Sequence, residues 1–210
     1  LPSGSDIYGG NMFDETLSQK LATMLKSCIG MQDFSRIVHI CHYVMETEHL
    51  EGDVVEFGCH EGYTARMINA LTNRPVHVYD SFMGLPRAEG HGGEMSSSVE
   101  SFLLTFRSYN VPIPIIHKGW FEQLTESDIP LKISFAHLDG DLKTSTESAL
   151  RLIYNHLEKG AVVLIDDYGT DLWPGPKVAT DEFFKDKPEK IVPLMGVKGL
   201  PSYKALIVKV

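Results

Sequence analysis

Short apolar runs alternating with helical stripes constrain this chain more than any other feature of its sequence. Val54-Val55-Glu56-Phe57 reads as a strand, Thr64–Leu71 as a helix and Val76–Tyr79 as a strand. Ser97–Tyr109 reads as helix, Ile113–His117 as strand and Ile133–Leu138 as an apolar strand. A helical stretch follows, with Leu150, Ile153 and Leu157 in one stripe and Thr144-x-x-Glu147 in the pattern of a capping box. Ala161–Ile165 is a further strand and residues 176–185 a further helix; Ile191–Leu194 and Ala205–Val208 are strands joined by a turn around Gly199-Leu200-Pro201. Such alternation predicts an α/β fold with a mostly parallel sheet and helices on both faces. The closing pair has no helix between its strands, so one of them runs antiparallel.

Upstream, residues 15–28 place Leu17, Leu21, Leu25 and Cys28 at helical spacing, and residues 33–49 place Ile37, Ile40, Val44 and Met45 on one side of a second helix. Residues 1–13 are rich in Gly, Ser and Asn, and are either loose or folded over a ligand. At 210 residues the chain is most simply one domain, with 1–50 as an N-terminal helical cap and 51–210 as the α/β core. A net charge of −9 argues against nucleic-acid and anionic-membrane partners. No apolar run approaches the roughly 20 residues of a membrane span, and the start has no charged segment leading into an apolar one. Cys28, Cys41 and Cys59 are scattered and odd in number, which suits reduced thiols and a cytoplasmic setting. The sequence leaves room for a homo-oligomer.

In open α/β sheets ligands bind beyond the carboxyl ends of the strands. The polar residues there are Glu56, Gly58, Asp80, Gly119, Asp139, Asp166 and Asp167. Burying carboxylates beside apolar strands is unfavourable unless a positive charge or a reaction awaits them. Gly58-x-x-x-Gly62 lets the backbone turn sharply between a strand and a helix and approach a ligand closely. It is neither GxGxxG nor a Walker loop. Asp80, closing the next strand, is placed to accept the hydroxyls of a ribose; a tight turn with a capping aspartate is the plainer alternative.

Together, Val54–Gly62, Asp80-Ser-Phe-x-Gly84-Leu-Pro86, Lys118-Gly-Trp-Phe121, Leu138-Asp-Gly-Asp141, Ile165-Asp-Asp-Tyr168 and Trp173-Pro-Gly175 resemble the macrocin O-methyltransferase family over roughly residues 33–185. The resemblance implies a Rossmann-like class I methyltransferase fold with a seven-stranded sheet and extra N-terminal helices. It implies methyl transfer from S-adenosylmethionine to a hydroxyl of a sugar or glycosylated small molecule, of the kind found in antibiotic biosynthesis. Glu56, Gly58 and Gly62 would then shape the methionine pocket, with Phe57, Tyr63 and Thr64 around the same turn. Asp80 and Ser81 would hold the ribose, Gly119 and Trp120 the adenine, and Asp139 would also contact the cofactor. The family's metal ligands fall on Asp139, Asp166 and Asp167, and its general base on Asp139; Asp141 and Lys143, on the same loop, are alternatives. The family usually has an aromatic after Asp-Gly-Asp where this chain has Leu142-Lys143, and its N-terminal covering region is longer.

An alcohol is a poor nucleophile at neutral pH, and a hard cation lowers its pKa and aims it. With no Cys or His evident to complete a softer set, Mg²⁺ is expected rather than Zn²⁺. Without a cation, three crowded carboxylates should raise at least one pKa. Asp141 reads either as part of this chemistry or as a helix cap. Tyr168 and Trp173 read either as a wall for the sugar ring or as packing. The His39-x-Cys41-His42 cluster reads as helix packing, His60 as a ligand contact or a solvated loop residue, and Glu61 and Arg66 as solvent-facing. The loop Arg87–Ser98 is long enough for a lid. A catechol-like hydroxyl is an alternative acceptor. A metal-dependent glycosyltransferase using Asp139-x-Asp141 leaves the glycine turn, Asp80 and the Asp166-Asp167 pair unexplained, and a non-catalytic module leaves the buried acids without a use.

Overall fold

The computed structural model describes residues 34–87, 90–196 and 201–210. The expected helix at 15–28, the segment 1–13, Cys28 and the turn at Gly199-Leu200 lie outside them. Seven strands form one sheet: β1 (Asp53–Phe57), β2 (Val76–Asp80), β3 (Ile115–Lys118), β4 (Ile133–Leu138), β5 (Leu157–Ile165), β6 (Val192–Met195) and β7 (Pro201–Val208). Their spatial order is β3-β2-β1-β4-β5-β7-β6. β3, β2, β1, β4 and β5 pair in parallel, and β7 is antiparallel to both neighbours. The expected antiparallel strand of the closing pair is therefore β7.

Alternation along the strands divides the core. Val55 and Phe57 face one side, with Ala149, Leu150 and Ile153 of α4 (Lys143–Ile153) and Phe184 of α5 (Gly175–Phe184). Val54 faces the other, with Ile40 and Val44 of α1 (Phe34–Glu46), Ala65 and Ile68 of α2 (Tyr63–Leu71) and Phe102 and Phe106 of α3 (Val99–Arg107). Among the described residues, no helix is long and apolar enough to cross a membrane.

Several expectations need correction. β5 begins at Leu157 rather than Ala161, because the polar Glu158-Lys159-Gly160 interrupts the apolar run while pairing continues through a register shift. β7 begins at Pro201 rather than Ala205, passing a second register shift near Tyr203, whose φ is +53°. The capping box at Thr144 does not form: the N-cap of α4 is Leu142, without a side-chain cap. The capping role weighed for Asp141 is therefore not seen either. Instead, Thr125 and Asp128 form a capping box on a short 3₁₀ turn. Arg66 is not solvent-facing: it is fully buried, its guanidinium 3.7 Å from the Tyr109 ring centroid and 3.4 Å from the Thr105 carbonyl. The ring offers a desolvated guanidinium an attractive π-face.

Candidate active site

A cleft of about 330 Å³ opens beyond the carboxyl ends of β1, β2, β4 and β5. It is within the usual size of a small-molecule site. Gly58, His60, Asp80, Ser81, Gly119, Trp120, Asp139, Asp141, Asp167 and Trp173 line it. Arg36, Leu85, Pro86, Met95, Phe121, Glu122, Ser145, Leu172 and Tyr203 complete much of the wall.

The glycine turn owes its glycines first to packing. A Cβ on Gly58, at φ +85°, would lie 1.9 Å from the carbonyl oxygen of Asp139. One on Gly62 would lie 2.7 Å from the Phe102 ring. Asp80 secures the turn: its Oδ2 accepts the backbone N–H of Cys59 and of His60 at 2.9 and 2.8 Å, and its Oδ1 that of Phe82 at 2.7 Å. His60 takes a positive φ of +46°, and its Nδ1 is buried without a hydrogen-bond partner. An orphaned ring nitrogen in a residue lining the cleft is a place for a polar group of a ligand. Across the cleft, Trp120 precedes Phe121, which packs edge-on against Phe57 at 5.2 Å, and Phe57 stacks on Tyr79 at 4.3 Å. Phe57 thus supports the cleft from below.

The acidic strand ends form the floor. One carboxylate oxygen each from Asp139, Asp141 and Asp167 lies within 4.8 Å of the others, and a second grouping joins Asp139, Asp166 and His137. The expected trio of Asp139, Asp166 and Asp167 is thus divided between the two groupings. Asp141 and Asp167 both hold positive φ values, +57° and +53°. Aspartate tolerates this conformation better than most residues, and such strain clusters at functional sites.

Interior cations explain where Asp166 goes. Lys204 of β7, fully buried, places Nζ 2.7 Å from Asp166 Oδ2 and donates to His137 Nε2 at 3.0 Å. His137 Nδ1 donates to Glu56 Oε1 at 2.9 Å. Arg36 pairs with both Asp166 and Asp167. Burial works against ionised Asp166, but Lys204, His137 and Arg36 outweigh it and hold its carboxyl well below the usual range. Asp139 is driven the other way, well up, by burial and by its neighbours Asp166 and Asp141. Asp141 is pushed to about 7 by burial and by Asp167. Asp167 is raised by burial and by Asp166. Crowded carboxylates behave this way when no further positive charge lies among them.

Several expected site residues lie outside the cleft wall. Glu56 is wholly buried against His137, and burial raises its pKa despite that bond. Phe57, Gly62, Tyr63, Thr64 and Asp166 are likewise not among the residues that line the cleft. Lys143 is turned away, 2.7 Å from Glu182 of α5. Tyr168 donates to Asp181 at 2.7 Å, also on α5, while Trp173 reaches the cleft and meets the His91 ring at 4.9 Å. Arg36, Lys204 and Tyr203 are functional candidates that strand-end reasoning misses. His137, buried on β4, lies in a grouping with Asp139 and Asp166 and corrects the expectation that no histidine is placed near the acids.

The three converging carboxylates are an all-oxygen donor set suited to a hard divalent ion. Histidine does not compete, since both His137 nitrogens are engaged. The residues therefore fit Mg²⁺, and the excess of negative charge also suits a sulfonium donor.

The family described as macrocin-O-methyltransferase matches residues 14–198. The 8-demethyl-8-(2,3-dimethoxy-alpha-L-rhamnosyl)-tetracenomycin-C 4'-O-methyltransferase of Streptomyces olivaceus is 29% identical over 74% of this chain and 67% of its own length. Demethyldecarbamoylnovobiocin O-methyltransferase of Streptomyces niveus is 28% identical over 63% of this chain and 58% of its own. The chain thus spans about two thirds of one curated relative and less of the other. Among solved structures, the O-methyltransferase NovP superposes with a TM-score of 0.78 at 20% identity, covering 92% of this chain and 99% of that one. CalS11, a calicheamicin methyltransferase, gives 0.68 at 17% identity, covering 99% and 98%. These likenesses establish the fold.

Proposed function

The chain belongs to the macrocin-O-methyltransferase family, and we propose that it methylates a hydroxyl of a sugar or glycosylated small molecule, using S-adenosylmethionine and Mg²⁺. The observation that carries this reading is the convergence of Asp139, Asp141 and Asp167 on the floor of a cleft that also holds Asp80 and the glycine turn. Relatives named for a rhamnosyl-tetracenomycin and a novobiocin precursor support a glycosylated acceptor.

In this reading Asp80, already fixed by three backbone N–H groups, offers its remaining lone pairs to the ribose, with Ser81 beside it. Gly119 and Trp120 flank the adenine, and His60 Nδ1 meets a polar group of the methionine part. Asp139, Asp141 and Asp167, with Asp166 behind them, would hold Mg²⁺. When bound, that ion acidifies and positions the acceptor hydroxyl. The proton then passes to a carboxylate on the Asp139-Gly-Asp141 loop. Asp139 and Asp141 both line the cleft and are the candidates for this role. Lys143 is the weakest of the three candidates, being held at Glu182. Trp173, Leu172 and Tyr203 wall the acceptor side. The glycosyltransferase reading gains nothing from the family match.

The test pairs binding with turnover. Asp139→Ala and Asp141→Asn should each bind S-adenosylhomocysteine within about threefold of the parent by calorimetry, while methyl transfer to a panel of glycosylated acceptors falls by about 100-fold or more. Undiminished turnover in both variants, or a parent chain that binds no S-adenosylhomocysteine, would overturn the proposal.

A further inference from the structure

Asp166 and Asp167 already share a cation. The guanidinium of Arg36, in the first turn of α1, reaches Oδ1 of both aspartates through the same nitrogen, Nη2. Arg36 also lines the cleft, within the field of Asp139 and Asp141. Lys204 is placed differently. It is fully buried and holds the other oxygen of Asp166, Oδ2, at 2.7 Å. Asp166 thus has one oxygen tied to an interior lysine and one to an arginine on the cleft wall.

We infer that Arg36 is an internal stand-in for the divalent ion, neutralising Asp166 and Asp167 in the metal-free protein and giving way when the ion binds. Three features support this. One nitrogen lies against one oxygen from each of two adjacent aspartates, as a cation between those oxygens would. Arg36 retains 17% side-chain exposure, so it has a route out, whereas Lys204 has none. Its Nε is buried without a hydrogen-bond partner, so the seat does not satisfy the whole guanidinium. An under-bonded, partly exposed cation is the easier of the two to displace. The Asp167 carboxylate belongs both to the Arg36 contacts and to the grouping with Asp139 and Asp141; two positive charges drawing on it repel, so ion binding and the Arg36–Asp167 contact compete. The inference rests on the metal reading above and adds to it a built-in competitor.

Mn²⁺ titration of the whole chain, with free ion read by electron paramagnetic resonance and no methyl donor present, tests this without reference to activity. Arg36→Met should bind Mn²⁺ about tenfold more tightly than the parent, the size expected for removing a competing charge-assisted contact. Metal-free Arg36→Met should melt below the parent and gain more from saturating Mn²⁺. Arg36→Lys, whose compact ammonium spans two carboxylates less well, should lie between the two; it carries the same prediction should Arg36→Met not fold. Equal or weaker Mn²⁺ binding in the variants would show that Arg36 supports the site rather than competes for it, leaving the metal reading intact. No Mn²⁺ binding by parent or variants would overturn both.

Discussion

Asp141 holds its proton to about pH 7 because burial and Asp167 disfavour its anion. Its folded-state pKa is raised, so the native chain keeps a proton that the unfolded chain releases near pH 4. Without divalent ions, this residue should make stability fall as pH rises from about 4 to about 7. Asp166, whose carboxyl is depressed, acts with the opposite sign and at lower pH. Thermal melts with chelator at pH 5 and pH 8 should show that Asp141→Asn removes part of the decline. A decline of the same size in the variant would assign it elsewhere. The acids themselves are legible in the sequence, since each follows directly on an apolar strand. Their counter-charges are not. Arg36 and Lys204 come from elements far along the chain, and neither has a local signal that names its partner. Arg66 shows the same limit: only the fold brings the Tyr109 ring under it.

At the level of elements, the tightest constraint is the approach of the β1–α2 turn to the end of β4. Gly58→Ala sets a methyl 1.9 Å from a backbone carbonyl that cannot move without the strand, at a φ of +85°. It should cost about 3 kcal/mol or more in urea unfolding. Gly93→Ala, at φ +86° with nothing within 4 Å, is the control and should cost about 1 kcal/mol. Similar losses in both would mean that backbone strain, not the close approach, requires Gly58. The central parallel strands β1 and β4 are easy to read because both their faces are buried and their apolar runs are nearly unbroken. The early parts of β5 and β7 are hard to read because pairing there continues through polar residues and register shifts.

For the molecule as a whole, alternation implies the α/β class and its ligand edge, while the order β3-β2-β1-β4-β5-β7-β6 depends on long-range pairing with no local trace. That order gathers the glycine turn, Asp80 and the acidic floor around one cleft, so ligand binding should stabilise the entire fold. S-adenosylhomocysteine at 100 times its Kd should add about 2.7 kcal/mol, seen as a rise of several degrees in Tm. Asp80→Ala should diminish that rise at the same ligand concentration. An unchanged rise would remove Asp80 from the cofactor site.

β7 slots between β5 and β6 and carries Lys204 to Asp166. During vectorial synthesis, the aspartates therefore leave the ribosome well before their interior lysine. A nascent chain halted short of residue 204 would leave Asp166 to Arg36 without its interior lysine, so the acidic floor is complete only once β7 has joined the sheet.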